Sequence, residues 1–245
     1  MHLRIAHLYP ELLNLYGDRG NLITLQRRCE WRGIACSVQP VSLNQPFVAA
    51  DYDLVFIGGG QDYEQNLLHE DLLERKGPAI RSAVEDGLVF LCICGGYQLM
   101  GHEYVEHDGR RIVCLGAIDI RTEAQTKRMI GDTIYHSNFL AGKGLSPQLV
   151  GFENHSGRTW LGPAVQPLAT VIKGGGNNGK DGTEGAIYRN VYCTYSHGSF
   201  LPKNPSMADW LIYLALKQHN ELDWPLATID DTLSENARNH LLTCK

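Results

Sequence analysis

Leu88-Val89-Phe90-Leu91-Cys92-Ile93-Cys94-Gly95-Gly96-Tyr97-Gln98-Leu99-Met100 is the stretch that decides how this chain folds. Leu88–Ile93 is a continuous apolar run without polar alternation, which marks a strand covered on both faces and therefore a parallel sheet. Directly after it, Cys94 is followed by two glycines and then by residues that read as helix. A nucleophile at the carboxyl end of a buried parallel strand stands where α/β folds place their ligands. The small residues permit a sharp turn that exposes the sulfur, the physics of the nucleophile elbow in α/β hydrolases. The amides opening the next helix favour thiolate over thiol. The plain alternative is a buried, inert cysteine, which is what Cys92 next door is expected to be.

Upstream, Pro78 starts a helix containing Ile80, Ala83 and Val84, which Gly87 ends, and a polar helical stretch runs from about Tyr63 to Lys76. Asp53-Leu54-Val55-Phe56-Ile57 is a second buried strand, ending in Gly58-Gly59-Gly60. Earlier still, Leu3–Leu8 reads as a strand and Asp18-Arg19-Gly20-Asn21 as turn and cap chemistry. Leu22, Leu25 and Cys29 follow at helical spacing, Gly33 stops that helix, and Ile34–Val38 is a further strand. Downstream, Asp108-Gly109 marks a hairpin turn. Extended pieces are expected around Ile112–Ile120, Asp132–Tyr135 and Ala169–Ile172, and Gly174–Gly179 reads as a mobile loop. Val191–Ser196 is a late strand leading into His197-Gly198. Asn204-Pro205 caps a last major helix, and a short helix closes the tail after Asp230. No internal repeat or linker interrupts the chain. The alternation predicts one α/β domain over residues 1–245, a three-layer sandwich around a mostly parallel central sheet, with antiparallel strands added at one edge near Asp108-Gly109.

Two further segments carry chemistry. His197 follows a strand end, as Cys94 does, so a parallel sheet can bring both to one edge. A cysteine nucleophile needs such a base to hold the thiolate and protonate a leaving amine. The chain has ten histidines, so a surface position at a strand terminus is the competing reading of this one. Gly58-Gly59-Gly60 can aim backbone N–H groups at an oxyanion together with the Gly95 amide. It is not a phosphate loop, because no Gly-Lys-Ser/Thr follows.

Composition removes other classes. With 245 residues, 43% hydrophobic and 20% charged, the chain has the make-up of an ordinary globular protein. Its net charge of −5 offers no footprint for nucleic acid, and Arg27-Arg28 and Arg110-Arg111 are short patches. Seven cysteines at irregular spacing do not make a disulfide framework, and Cys92-Ile93-Cys94 lacks the spacer of a redox or zinc pair, so no metal is expected. No signal-peptide core follows Met1, and no run approaches the ~20 apolar residues that span a bilayer. A cytoplasmic protein without membrane insertion is expected.

Taken together, Ile57-Gly58-Gly59-Gly60, Cys94-Gly95-Gly96-Tyr97-Gln98 and Thr194-Tyr195-Ser196-His197-Gly198 resemble the class I (triad) glutamine amidotransferases, in their cobyric-acid-synthase-like branch. Four more stretches are similar to the glutaminase subunits of lipid II isoglutaminyl synthases: Leu13–Asn21, Gly151–Thr159, Thr122-Glu123 with Arg128, and Leu201–Asn204. The resemblance covers about residues 3–215. It implies that Cys94 attacks the side-chain amide of L-glutamine and that His197 protonates the departing ammonia. Gly95 and the Gly59/Gly60 loop would hold the oxyanion, Arg128 the α-carboxylate of glutamine, and Gln98 would line the same pocket. The ammonia would pass to a Mur-ligase-like partner subunit in a heterodimer. That partner would amidate D-glutamate of lipid II to D-isoglutamine with its own ATP, since no nucleotide motif stands in this chain and no cofactor is expected on it.

Typical triad enzymes carry His-x-Glu, whereas Ser199 stands at that position here, and the cobyric-acid-like branch usually has His-Gly-Pro. A Cys94–His197 dyad is therefore the expectation, with no third carboxylate placed. Glu153-Asn154-His155 reads rather as a structural or partner-facing loop. Three other readings stay open: an amidotransferase for another acceptor such as a cobyrinate-type acid, a cysteine-dependent α/β hydrolase, and a degenerate binding module.

Overall fold

The computed structural model describes residues 1–14, 18–60 and 70–243. Among these residues the apolar runs become the centre of a six-stranded sheet, with strands and helices numbered here along the chain. It comprises β1 (His2–Leu8), β2 (Ala35–Val41), β3 (Leu54–Ile57), β4 (Val89–Ile93), β11 (Ala186–Tyr188) and β12 (Val191–Thr194). Every residue of β3, β4 and β12 is buried, as continuous apolar strands require. The spatial order is β11-β12-β4-β3-β1-β2, and every pairing is parallel except the terminal β11–β12.

Between the parallel strands run α1 (Arg19–Glu30) and α2 (Gly77–Glu85), the latter continuing a π-helical turn at Asp71–Lys76. The upstream part of the expected helix, residues 61–69, lies outside the described residues. The step from β1 to β2 goes one way across the sheet and the step from β3 to β4 goes the other. Right-handed crossovers therefore put α1 and α2 on opposite faces. The short α3 (Gly95–Leu99) follows β4, then come α4 (Asn138–Ala141), α5 (Phe200–Lys203) and α6 (Pro205–Lys217), and α7 (Thr232–Thr243) ends the chain. Helix α6 packs on α1 and on β1 and β4.

The hairpin at Asp108-Gly109 is present, between β5 (Glu103–Val105) and β6 (Arg111–Val113), with Gly109 at φ 88°. It does not extend the parallel sheet as expected. It belongs to a second, largely antiparallel sheet with β7 (Ile120–His136), β8 (Gln148–Leu161), β9 (Ala169–Lys173), β10 (Thr183–Glu184) and β13 (Ser196–His197). Strand β8 escapes periodicity because its inward positions are Gly151, Glu153, His155, Gly157 and Thr159, small or polar rather than apolar.

Gly174–Gly179 is not the open loop its composition suggests. The Glu153 carboxylate accepts the N–H groups of Gly175 at 2.8 Å and Gly176 at 3.1 Å. Asn177 is buried and exchanges hydrogen bonds with the Gly185 backbone in both directions, each 2.9 Å. Asn204 makes no side-chain cap on α6. Its amide instead pairs with the N–H and C=O of Val150 in β8, at 3.0 and 2.8 Å.

Candidate active site

The strand order places four carboxyl ends side by side, those of β12, β4, β3 and β1. The chain reverses its direction of travel across the sheet at β1 and β3, and such switch points open a crevice at the carboxyl ends. From those ends emerge His197 after β12, Cys94 after β4, Gly58–Gly60 after β3 and Asp18 after β1.

Cys94 sits at φ 48°, ψ −101°, a backbone conformation that L-residues adopt only under constraint. The constraint is visible. The Cys94 N–H donates to the Thr194 carbonyl at 2.9 Å, and its own carbonyl accepts the Gln98 N–H at 3.0 Å to open α3. Gly96 donates to the Gly58 carbonyl at 3.0 Å, and a Cβ on Gly96 would stand 2.6 Å from the Ile57 oxygen. The elbow is therefore pressed against the end of β3, which only glycine allows. A Cβ on Gly95 would likewise meet the Gly60 nitrogen at 2.7 Å, so the backbones of Gly95 and Gly60 abut.

His197 lies where the chain leaves the parallel sheet. β12 ends at Thr194, and Ser196-His197 then pair with Glu153 and Phe152 of β8 in the second sheet. Buried Glu184 holds this crossing, accepting from Thr194 Oγ1 at 2.6 Å and from the Tyr195 N–H at 2.9 Å. Burial pushes the Glu184 carboxyl up to about 7, against the hydrogen bonds that favour its charge. From the other side, Asn21 in α1 accepts the Leu201 N–H at 2.8 Å.

The imidazole is wholly buried, with Nδ1 3.4 Å from Asp18 Oδ1. Asp18 is also wholly buried, and its Oδ2 accepts the Gly59 N–H at 2.7 Å. A Cβ on Gly59 would stand 2.9 Å from His197 Cε1, 3.0 Å from Asp18 Oδ2 and 3.6 Å from Cys94 Cβ. One missing side chain thus brings Cys94, His197 and Asp18 around a single point. Burial works to lower the His197 pKa, but the Cys94 sulfur and the Asp18 carboxylate outweigh it and raise it to about 10. A raised pKa favours the imidazolium form, the partner a thiolate needs.

The sequence reading missed Asp18, assigning it to turn and cap chemistry. Asp18 does precede α1, yet its side chain makes no cap hydrogen bond. The available signal was an acid in the loop directly after a buried strand. Residues 15–17 of the Leu13–Asn21 motif lie outside the described residues. Ser199 does not take the place of a triad glutamate: its Oγ packs on Gly20 in α1, where a Cβ would come within 2.0 Å of it.

The remaining candidates separate. Gly59 has its N–H committed to Asp18, while the Gly60 and Gly95 backbones abut beside the elbow. Gln98 is buried in α3 and donates to Tyr195 Oη at 3.2 Å. Tyr195 in turn bonds Thr159 at 2.6 Å and stacks on His155 at 3.7 Å. Arg128 is exposed on the irregular middle of β7, where its Nε and Nη2 donate to Asn154 Oδ1 and O at 3.0 and 2.9 Å. A hollow of about 890 Å³ between α1 and β2 lies away from this group. Its charged lining, Arg27 and Glu30, is already paired at 2.6 Å. Among the described residues no cluster of His, Cys, Asp and Glu is arranged to hold a metal ion. The six described cysteines are unpaired.

Residues 4–205 match the CobB/CobQ-like glutamine amidotransferase domain. The chain is 42% identical over 234 residues to the GatD subunit of lipid II isoglutaminyl synthase (glutamine-hydrolyzing) of Streptococcus pneumoniae, covering 95% of this chain and 88% of that one. It is 40% identical over 219 residues to the same subunit of Staphylococcus aureus, covering 89% and 86%. A solved glutamine amidotransferase of Thermotoga maritima shares the fold with a TM-score of 0.54 at 15% identity, over 98% of this chain and 94% of that one. The chain is thus a member of the CobB/CobQ-like glutamine amidotransferase family, standing within it beside the GatD subunits of lipid II isoglutaminyl synthases.

Proposed function

We propose that this chain hydrolyses L-glutamine at Cys94 and supplies the ammonia to a Mur-ligase-like synthase subunit that amidates lipid II. The observation that carries the chemistry is the gathering of Cys94, at positive φ, with buried His197 around Gly59. The Cys94 thiolate attacks the carboxamide carbon, and the electron pair of the C=O bond moves to oxygen. The amides of Gly60 and Gly95 hold that oxyanion. Collapse of the tetrahedral intermediate expels ammonia, which takes its proton from the His197 imidazolium. Water then attacks the thioester, His197 accepts its proton, and the C–S bond breaks to release glutamate and thiolate. Arg128 pairs with the α-carboxylate of glutamine, and Gln98 orders the pocket wall through Tyr195.

The acceptor half rests on the two GatD relatives, which this chain matches over most of their length. The activating ATP belongs to the partner in this reading, and both subunits work in the cytoplasm. Among the described residues no helix is long and apolar enough to cross a membrane. The acidic group that a plain cysteine hydrolase would need is also present, in Asp18, so geometry does not separate that reading. Family membership does, by favouring glutamine. The test uses glutamine carrying a ¹⁵N side-chain amide, incubated with the chain, the synthase subunit, ATP and lipid II. Label in D-isoglutamine of the stem peptide is the expected result. Labelled ammonia with none in lipid II, and label on a cobyrinate-type acid instead, would replace the acceptor.

A further inference from the structure

The structure assigns Asp18 a double positioning role: one carboxylate oxygen orients His197, and the other locks the glycine loop that follows β3. This rests on the glutaminase reading and adds a residue to it from an unexpected place. The usual site for an orienting acid, two residues after the histidine, holds Ser199, which is turned toward Gly20. Asp18 instead comes from the first α/β crossover, far away in sequence. It reaches the same ring from the carboxyl end of β1.

Three observations support the assignment. First, Asp18 is wholly buried, and a carboxylate is not buried without partners that use its charge. Its partners are His197 Nδ1 at 3.4 Å and the Gly59 N–H at 2.7 Å. The longer of the two is in the range of catalytic hydrogen bonds that tighten once substrate is bound. Second, the residue stands at the entrance to α1 without capping it, so local helix chemistry does not account for an acid here. Third, the Gly59 N–H is spent on Asp18, which fixes the peptide just before Gly60. A change at Asp18 must therefore reach both the proton donor and an oxyanion donor. An Nδ1–H bond to the carboxylate also fixes the tautomer that turns Nε2 toward the reaction, and it stabilises the ring as a cation.

The test compares Asp18→Asn and Asp18→Ala in the full chain, with the synthase subunit added where hydrolysis needs it. The asparagine keeps an acceptor for Gly59 but loses the charge and turns an NH2 donor toward His197 Nδ1, whereas the alanine loses both contacts. For Asp18→Asn, kcat is expected to fall on the order of 100-fold with KM nearly unchanged. The alkaline limb of kcat/KM is expected to move down by about a pH unit or more, and the His197 proton resonance to titrate lower by the same amount. Asp18→Ala is expected to lose a further several-fold in kcat. If Asp18→Asn does not fold, as judged by its melting curve, Asp18→Ser is read in the same way. Unchanged kcat and an unchanged His197 titration in a folded variant would overturn the assignment. Absence of glutaminase activity in wild type would sink the glutaminase reading instead, and the titration would still decide whether Asp18 governs His197.

Discussion

Gly59 shows at the scale of one residue how the site is built, because any side chain there would enter the space shared by Cys94, His197 and Asp18. The two catalytic candidates were legible in the sequence for a physical reason: each ends a buried strand, and parallel strands bring such ends together. Asp18 was not legible, since an acid before a helix normally reads as a cap. Only the three-dimensional arrangement shows its carboxylate turned away from α1. Arg128 is a different case. Its guanidinium is exposed and anchored on Asn154, so its proposed duty is recognition rather than chemistry. Arg128→Lys keeps the charge but loses the planar fork suited to a carboxylate. Steady-state kinetics should show KM for glutamine rising about 10-fold with kcat within about twofold. A fall in kcat at unchanged KM would instead place Arg128 in the transition state.

Among the elements, β3 and β4 were read nearly to the residue, because continuous burial leaves a continuous apolar run, whereas the mostly unburied edge strand β2 runs on to Val41, past the expected Val38. The second sheet was read only in pieces. Strand β8 turns Glu153 and His155 inward, and β13 is two residues long, so neither carries a hydrophobic period. Gly174–Gly179 looked mobile because glycine and asparagine are turn residues. Here the same residues supply N–H groups to Glu153 and side-chain amides to the Gly185 backbone. The short β10 contributes Glu184, which grips the crossing from β12 to β13. Its folded pKa of about 7 lies above the ordinary carboxylate value, chiefly through burial. An acid with a raised folded pKa stabilises while it is protonated, so its contribution is full below about pH 4.5 and is lost as pH rises through about 7. The urea midpoint of wild type should fall relative to that of Glu184→Gln between pH 5 and 8. Parallel curves for the two proteins would contradict a buried, proton-sensitive clasp at this junction.

For the whole molecule, the two sheets divide the work. The parallel sheet delivers the elbow, the glycine loop and Asp18 at its carboxyl edge, while the antiparallel sheet receives His197 and backs Gln98 through Tyr195. The expectation that the hairpin strands would extend the central sheet failed, since antiparallel strands buried on one face form a layer of their own as readily as an edge. Family membership covers residues 4–205, and the α/β core that builds the site lies inside that span. The measurement that tests the central claim most directly is ammonia release from glutamine by wild type, Cys94→Ala and His197→Ala, each alone and with the synthase subunit. The account predicts release by wild type, none above background from Cys94→Ala, and a loss of about 100-fold or more from His197→Ala. Equal release by wild type and a folded Cys94→Ala would contradict it.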